Sequence, residues 1–344
     1  MRSGSGTPDK PDSYLYAGHP TLIYGGYMMA GLAERFPNFY MLFKVILLLV
    51  VVLIALVGMS LLLLVAIAGY VAFTGGDLAT AAETALSLLM SNVIVSASYM
   101  VVQNIALVLV AVFFMAVIEG RRPALKALGL GTEREDKPVN GFAAGVGLNV
   151  LFMLTVLIII LLVGVSAYDG TGFEVYGISG VAISLVAMAI GTLFVGLGEE
   201  VVFRGYLQRI LADKYGVAAG LIVTSGIFAL FHSLTPFAKL GPLYLVGVFT
   251  LSMLLGYLFV ITKSLYASIG FHFFQDFLAL QIFSFTGEQT LGAAPVLMFA
   301  RPEEIYVSGI FLGSWDDLIS ILVAALIIVG LYAYRRSIMK KKEI

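Results

Sequence analysis

Residues 45–73 read VILLLVVVLIALVGMSLLLLVAIAGYVAF, 29 consecutive positions without an acidic or basic side chain. At about 1.5 Å of rise per residue, about 20 such residues cross the hydrocarbon of a bilayer. This stretch therefore predicts a membrane-spanning helix. The rest of the chain has the same character: of 344 residues, 60% are hydrophobic and 12% charged, and the mean hydropathy is +1.01. Soluble domains carry roughly 25% charged residues. So little charge could not wet a surface around this much apolar bulk, so the bilayer is the expected solvent.

Working outward, similar runs occur at roughly 45–73, 97–119, 141–167, 178–200, 217–235, 242–262, 265–285 and 317–334. They predict an all-α membrane protein, a polytopic bundle of about eight transmembrane helices. The apolar stretch 79–96 carries Glu83 and Asn92 and reads as an interfacial or re-entrant piece. Charge sets the expected orientation, because basic residues collect on the cytosolic side. With both termini cytosolic, 18 of the 20 Lys and Arg fall in inner segments and only Lys239 and Arg301 lie outside. The loop 286–316, with Glu288, Glu303, Glu304 and Asp316, is then on the outer side. This reading places a multi-pass protein in the cell membrane. The net charge of −1 suggests no nucleic-acid partner, and the lack of cysteine excludes disulfides, thiolate metal sites and a Cys nucleophile.

Four regions are expected. Residues 1–44 form a polar to interfacial cytosolic arm without a secretory signal, and 45–119 the first transmembrane helices. A membrane core occupies 120–285, and 286–344 hold the outer loop, the last span and a basic tail.

Ionisable side chains inside spans cost about 2.5–3.5 kcal/mol each on insertion scales, so each is a functional hypothesis by default. They concentrate in Glu199-Glu200-Val201-Val202-Phe203-Arg204, in Phe228-Ala229-Leu230-Phe231-His232, and in His272-Phe273-Phe274-Gln275-Asp276. Glu200 and Arg204 are four residues apart and share a helix face, as do His272 and Asp276. Glu199 points about 100° away from Glu200 and can meet a different partner. Two of the three histidines lie in these motifs; the remaining one, His19, is in the arm. With a turn near Gly216, Glu200 and His232 each stand about 24 Å from it, at one level of an antiparallel pair. A shared polar site on the fourth, fifth and seventh helices is expected, walled in part by Phe228. It should open toward the cytosol or sideways to lipid.

The ordered set EExxxR, FxxxH and HxxxN/D resembles the CAAX protease and bacteriocin-processing (CPBP) family, the type II CAAX prenyl endopeptidases. The resemblance covers about 120–285 and includes Ala124-Leu125-Lys126-Ala127-Leu128-Gly129-Leu130, similar to a cytosolic segment of prokaryotic members. It implies an intramembrane glutamate endopeptidase without an obligatory metal or other cofactor. Glu199 and His232 would activate a water for attack on the scissile peptide. Glu200, held by Arg204, would support that base. His272 and the residue at 276 would stabilise the oxyanion. Position 276 is Asp where the best-known members have Asn, and an ionised Asp cannot donate to an oxyanion. It must be protonated, or orient His272 instead. The implied substrate is a membrane-anchored protein or peptide, prenylated in the eukaryotic relatives.

Three other readings compete. Two His with carboxylates are adequate Zn²⁺ ligands, although His-Glu-x-x-His is absent. A non-catalytic scaffold or immunity protein would keep the fold without the chemistry. A transporter would show inverted repeats with broken helices in both halves, and no internal repeat is evident.

Overall fold

A computed structural model describes residues 34–131, 138–234, 241–286 and 291–342. The first 33 positions of the expected arm, with His19, lie outside the described residues. Helix α1 (Pro37–Phe73) opens on Pro37, whose missing N–H costs nothing in a first turn. It thus begins eight residues before the apolar run. Helix α2 (Leu78–Ser91) is the separate short piece expected at 79–96. Asn92 divides it from α3 (Val93–Phe113), its side chain accepting from Ile94 N and Val95 N at 3.1 and 3.2 Å. The third element therefore starts at its cap, four residues earlier than hydropathy alone suggests. A π-helical turn extends α3 to Ile118.

Helix α4 (Pro138–Val163) leads into strand β1 (Tyr168–Thr171). Helix α5 (Gly172–Glu200), kinked at Gly177 (φ 70°), continues through a π-helical stretch, Val201–Gln208, into α6 (Arg209–Tyr215), so that the element spans 44 residues. Gly216, at φ 88°, turns the chain into α7 (Val217–His232). Helix α8 (Pro242–Thr262) ends on a left-handed Lys263, and α9 (Tyr266–Phe277) runs into a π turn at Leu278–Ile282. Strands β2 (Phe283–Phe285) and β3 (Leu297–Phe299) then join β1 in the order β1-β3-β2. A hairpin of β4 (Glu304–Val307) and β5 (Ile310–Ser314) precedes α10 (Trp315–Lys342). These five short strands, absent from the all-α reading, are built mostly from the expected outer loop.

Among the described residues, six helices are long and apolar enough to cross a membrane: those at Pro37–Phe73, Val93–Ile118, Pro138–Val163, Gly172–Tyr215, Pro242–Thr262 and Trp315–Ile338. The two further spans expected at 217–235 and 265–285 fold as helices of 16 and 12 residues. At about 1.5 Å per residue both fall short of a 30 Å hydrocarbon core. Both carry polar motifs of the site. The chain is an all-α polytopic membrane protein with six long apolar helices, rather than the eight full-length spans expected from hydropathy.

Burial is inverted relative to a soluble protein. Leu62, Val65, Leu109, Ile158, Val186 and Leu326 are exposed on long helices, while Arg204, Glu200, Asn149, Thr192, Ser252 and Gln281 are buried. The connections sort to two ends. At one, β1, β2 and β3 tie together the end of α4, the start of α5 and the end of α9. At the other, Arg121 meets Asp213 at 2.6 Å, Leu265 N donates to Gly129 O at 3.1 Å, and Leu331 of α10 packs beside Val217 and Tyr257. The Ala124–Leu130 segment docks at this second end, with Leu128 fully buried against the base of the π-helical stretch.

Candidate active site

The site begins where α5 becomes π-helical. An extra residue per turn re-aims side chains, and such bulges gather at functional sites. Here the widened turn follows Glu199 and Glu200 directly and carries Arg204. Arg204 Nη1 donates to Glu200 Oε1 at 2.7 Å, and both side chains are fully buried. Arg204 Nη2 donates to Ser252 Oγ of α8 at 2.9 Å and to Ser252 O at 3.4 Å. Its guanidinium lies 4.4 Å over the Phe228 ring. Ser252 was not singled out in the sequence; a hydroxyl at mid-span in an apolar run was the available signal.

Gly216 sets the register of α7 against this helix. Arg204 and Phe228 each stand twelve residues from that turn, and they pair. Phe203 packs edge-on against Phe228 and Phe231, at 5.0 and 5.8 Å between centroids. Glu200 and His232 are therefore at one level, as the sixteen-residue spacing on either side of Gly216 predicts. His232 Nδ1 lies 3.0 Å from Phe228 O, which makes Nδ1 the donor and leaves Nε2 as the basic nitrogen. The Phe228 ring lies tilted against His232 at 4.4 Å and meets His272 edge-on at 6.1 Å, so it forms one wall between the two imidazoles.

Helix α9 supplies the third side. His272 Nδ1 lies 2.8 Å from Glu200 Oε1, the oxygen that Arg204 also holds. His272 Nε2 lies 3.7 Å from Glu199 Oε2 and 3.7 Å from Asp276 Oδ2. Arg204, Glu200 and His272 thus form a buried chain, and Glu199 and Asp276 stand at its far end. The structure brings together all of the residues expected at the site. It gives His272 a partner the spacing did not foresee, because the bond to Glu200 crosses between helices. Glu199 lies closer to His272 than the division into a Glu199–His232 base and a His272–Asp276 oxyanion pair suggests. Glu199 Oε2 is buried and has no hydrogen-bond donor among the described residues.

Two cavities meet here. One, of about 180 Å³, is lined by Phe228, His232, Tyr244, His272, Gln275 and Asp276. The larger, of about 670 Å³, shares His232, Gln275 and Asp276 and reaches Phe283, Phe299, Arg301 and Asp316 at the strand-bearing end. The larger cavity extends toward the strands. Among the described residues, no set of three or more histidine and acidic side chains has the arrangement of a metal site.

Comparison with known proteins agrees with the geometry. Residues 181–278 match the family described as Type II CAAX prenyl endopeptidase Rce1-like, and that range holds all of the motif residues. It is narrower than the 120–285 of the motif resemblance. No curated protein and no solved structure matches the chain.

Proposed function

We propose that the Rce1-like CAAX-protease domain at residues 181–278 is an intramembrane endopeptidase in which Glu199 and His232 activate a water against a peptide bond. The observation that carries this reading is the buried chain Arg204–Glu200–His272, which ends on Glu199 and Asp276 beside a cavity lined by His232. Arg204 neutralises Glu200 and fixes its carboxylate; Glu200 in turn fixes the His272 ring. The fixed ring presents Nε2 to Glu199 and Asp276. Glu199, whose side chain is partly exposed, takes a proton from water and returns it to the departing amine. With Nδ1 donating to Phe228 O, His232 Nε2 accepts a hydrogen bond from the same water and orients it. Asp276, a protonated donor or a partner of His272, completes the cluster from the next turn of α9.

The substrate is a membrane-associated protein or peptide, with a prenylated C-terminus as its first candidate. By the charge distribution both termini are cytosolic, and the cavity then draws its substrate from the strand-bearing, outer end. Cleavage of a fluorogenic farnesylated CAAX peptide by purified protein in detergent tests the reading. A positioned general base contributes about 10²–10⁴-fold. Glu199→Gln and His232→Ala should each lose activity on that scale, with and without chelator. Wild-type cleavage that chelator abolishes would replace the glutamate mechanism with a metal-dependent one. A folded wild type that cleaves nothing would support a scaffold role.

A further inference from the structure

We infer that Gln275 donates a hydrogen bond from Nε2 to the substrate carbonyl oxygen as it becomes an oxyanion, and that Asn149 holds the amide in that orientation; this rests on the peptidase reading above. Gln275 lies three residues after His272, on the α9 face that bears the site, and it lines both cavities beside His232 and Asp276. Its Oε1 accepts from Asn149 Nδ2 of α4 at 2.8 Å. Asn149 is fully buried. The bond turns the Gln275 carbonyl back toward α4 and points Nε2 the other way. Nε2 makes no hydrogen bond among the described residues and is not sealed in the core.

Most of the other polar groups of the site are committed elsewhere or can only accept. Arg204 is committed to Glu200 and Ser252. The Nδ1 of His272 faces Glu200 and its Nε2 faces two carboxylates. His232 Nδ1 is committed to Phe228 O. Glu199, Glu200 and ionised Asp276 are acceptors. Three carboxylates around a scissile carbonyl would repel the negative charge that develops in the transition state. A neutral, pre-oriented N–H relieves that repulsion without adding a charge to a low-dielectric site. Gln275 is the neutral side-chain amide that lines the cavity beside the two histidines.

Removing one oxyanion donor lowers kcat by about 10²–10³. The test uses the full chain in detergent with the fluorogenic farnesylated CAAX peptide, and titration with the matching peptide aldehyde. Gln275→Met should lower kcat about 100-fold while KM changes less than threefold, and it should weaken aldehyde binding more than peptide binding. Asn149→Asp offers only acceptors, so it turns the Gln275 amide round and places its oxygen in the cavity; it should lose activity on the same scale. Asn149→Leu frees the amide and should lose less. Size-exclusion profiles and thermal melts report whether each variant is folded. Loss in Gln275→Met with kcat and KM moving together would make Gln275 a binding contact and overturn the proposal. Full activity in Gln275→Met, with Glu199→Gln inactive, would sink the proposal and leave the peptidase standing. A wild type that neither cleaves the peptide nor binds the aldehyde would end both.

Discussion

At the scale of single residues, the Arg204–Glu200 pair governs the stability of the site. Both side chains are fully buried, and Arg204 is further held by Ser252 and the Phe228 ring. Removing one partner of such a pair leaves an uncompensated buried charge and costs about 3–5 kcal/mol. Arg204→Met should lower the melting temperature of the detergent-solubilised protein sharply. Arg204→Lys should recover little, because a point ammonium cannot reach Glu200, Ser252 and the ring at once. The double variant Glu200→Gln/Arg204→Met should be more stable than Arg204→Met alone, since no orphan carboxylate remains. Additive losses in that cycle would show that the pair is not energetically coupled. Ser252→Ala, which removes one hydrogen bond, should cost about 1–3 kcal/mol. The pair itself was legible in the sequence, since an i, i+4 Glu and Arg on one helix need no tertiary knowledge. Its bonds to Ser252 and His272 were not, because each reaches across to another helix and no local period connects them.

At the scale of elements, the position of His272 depends on how closely α4 and α5 approach α9. A Cβ at Gly145 of α4 would run into the carbonyl oxygen of Ala267, and one at Gly270 of α9 into that of Phe142. On the opposite side, a Cβ at Gly196 of α5 would come within 2.8 Å of Phe273 N. Backbone-to-backbone contact through small residues is how helices associate where lipid offers no hydrophobic drive. Gly145→Leu should push α9 away from α4, breaking the 2.8 Å Asn149–Gln275 bond and displacing His272 from Glu200. We expect loss of peptide cleavage and a lower melting temperature. Gly58→Leu on α1, where a Cβ meets open space, should leave both unchanged. Equal behaviour of the two variants would rule out close packing as the cause. The glycines were visible in the sequence, but their partners depend on which helices neighbour each other. Helix ends were legible in proportion to their local chemistry. Gly216 ends its helix at the place the spacing requires, whereas Asn92, part of a stretch that reads as interfacial or re-entrant, caps α3.

At the scale of the whole molecule, the fold separates two ends, and the site is connected to one of them. The expected inner segments, rich in Lys and Arg, gather at the end that holds Gly216, Asp213 and Gly129. The large cavity leads from His232 and Asp276 to the other end, where the strands and the start of α10 lie. Hydropathy could not reveal this, since short strands at the ends of spans and in the 286–316 loop carry no spanning signal. If basic residues mark the cytosol, the substrate reaches the site from outside. The chain has no cysteine, so single cysteines report each end without background. Ser308→Cys places a thiol in the exposed β4–β5 turn, and Ser337→Cys places one near the far end of α10. In intact cells a membrane-impermeant maleimide should label the first variant, and should label the second only after permeabilisation. The reverse pattern would invert the molecule. The cavity would then face the cytosol, and a cytosolic C-terminus would become the peptide best placed to enter it.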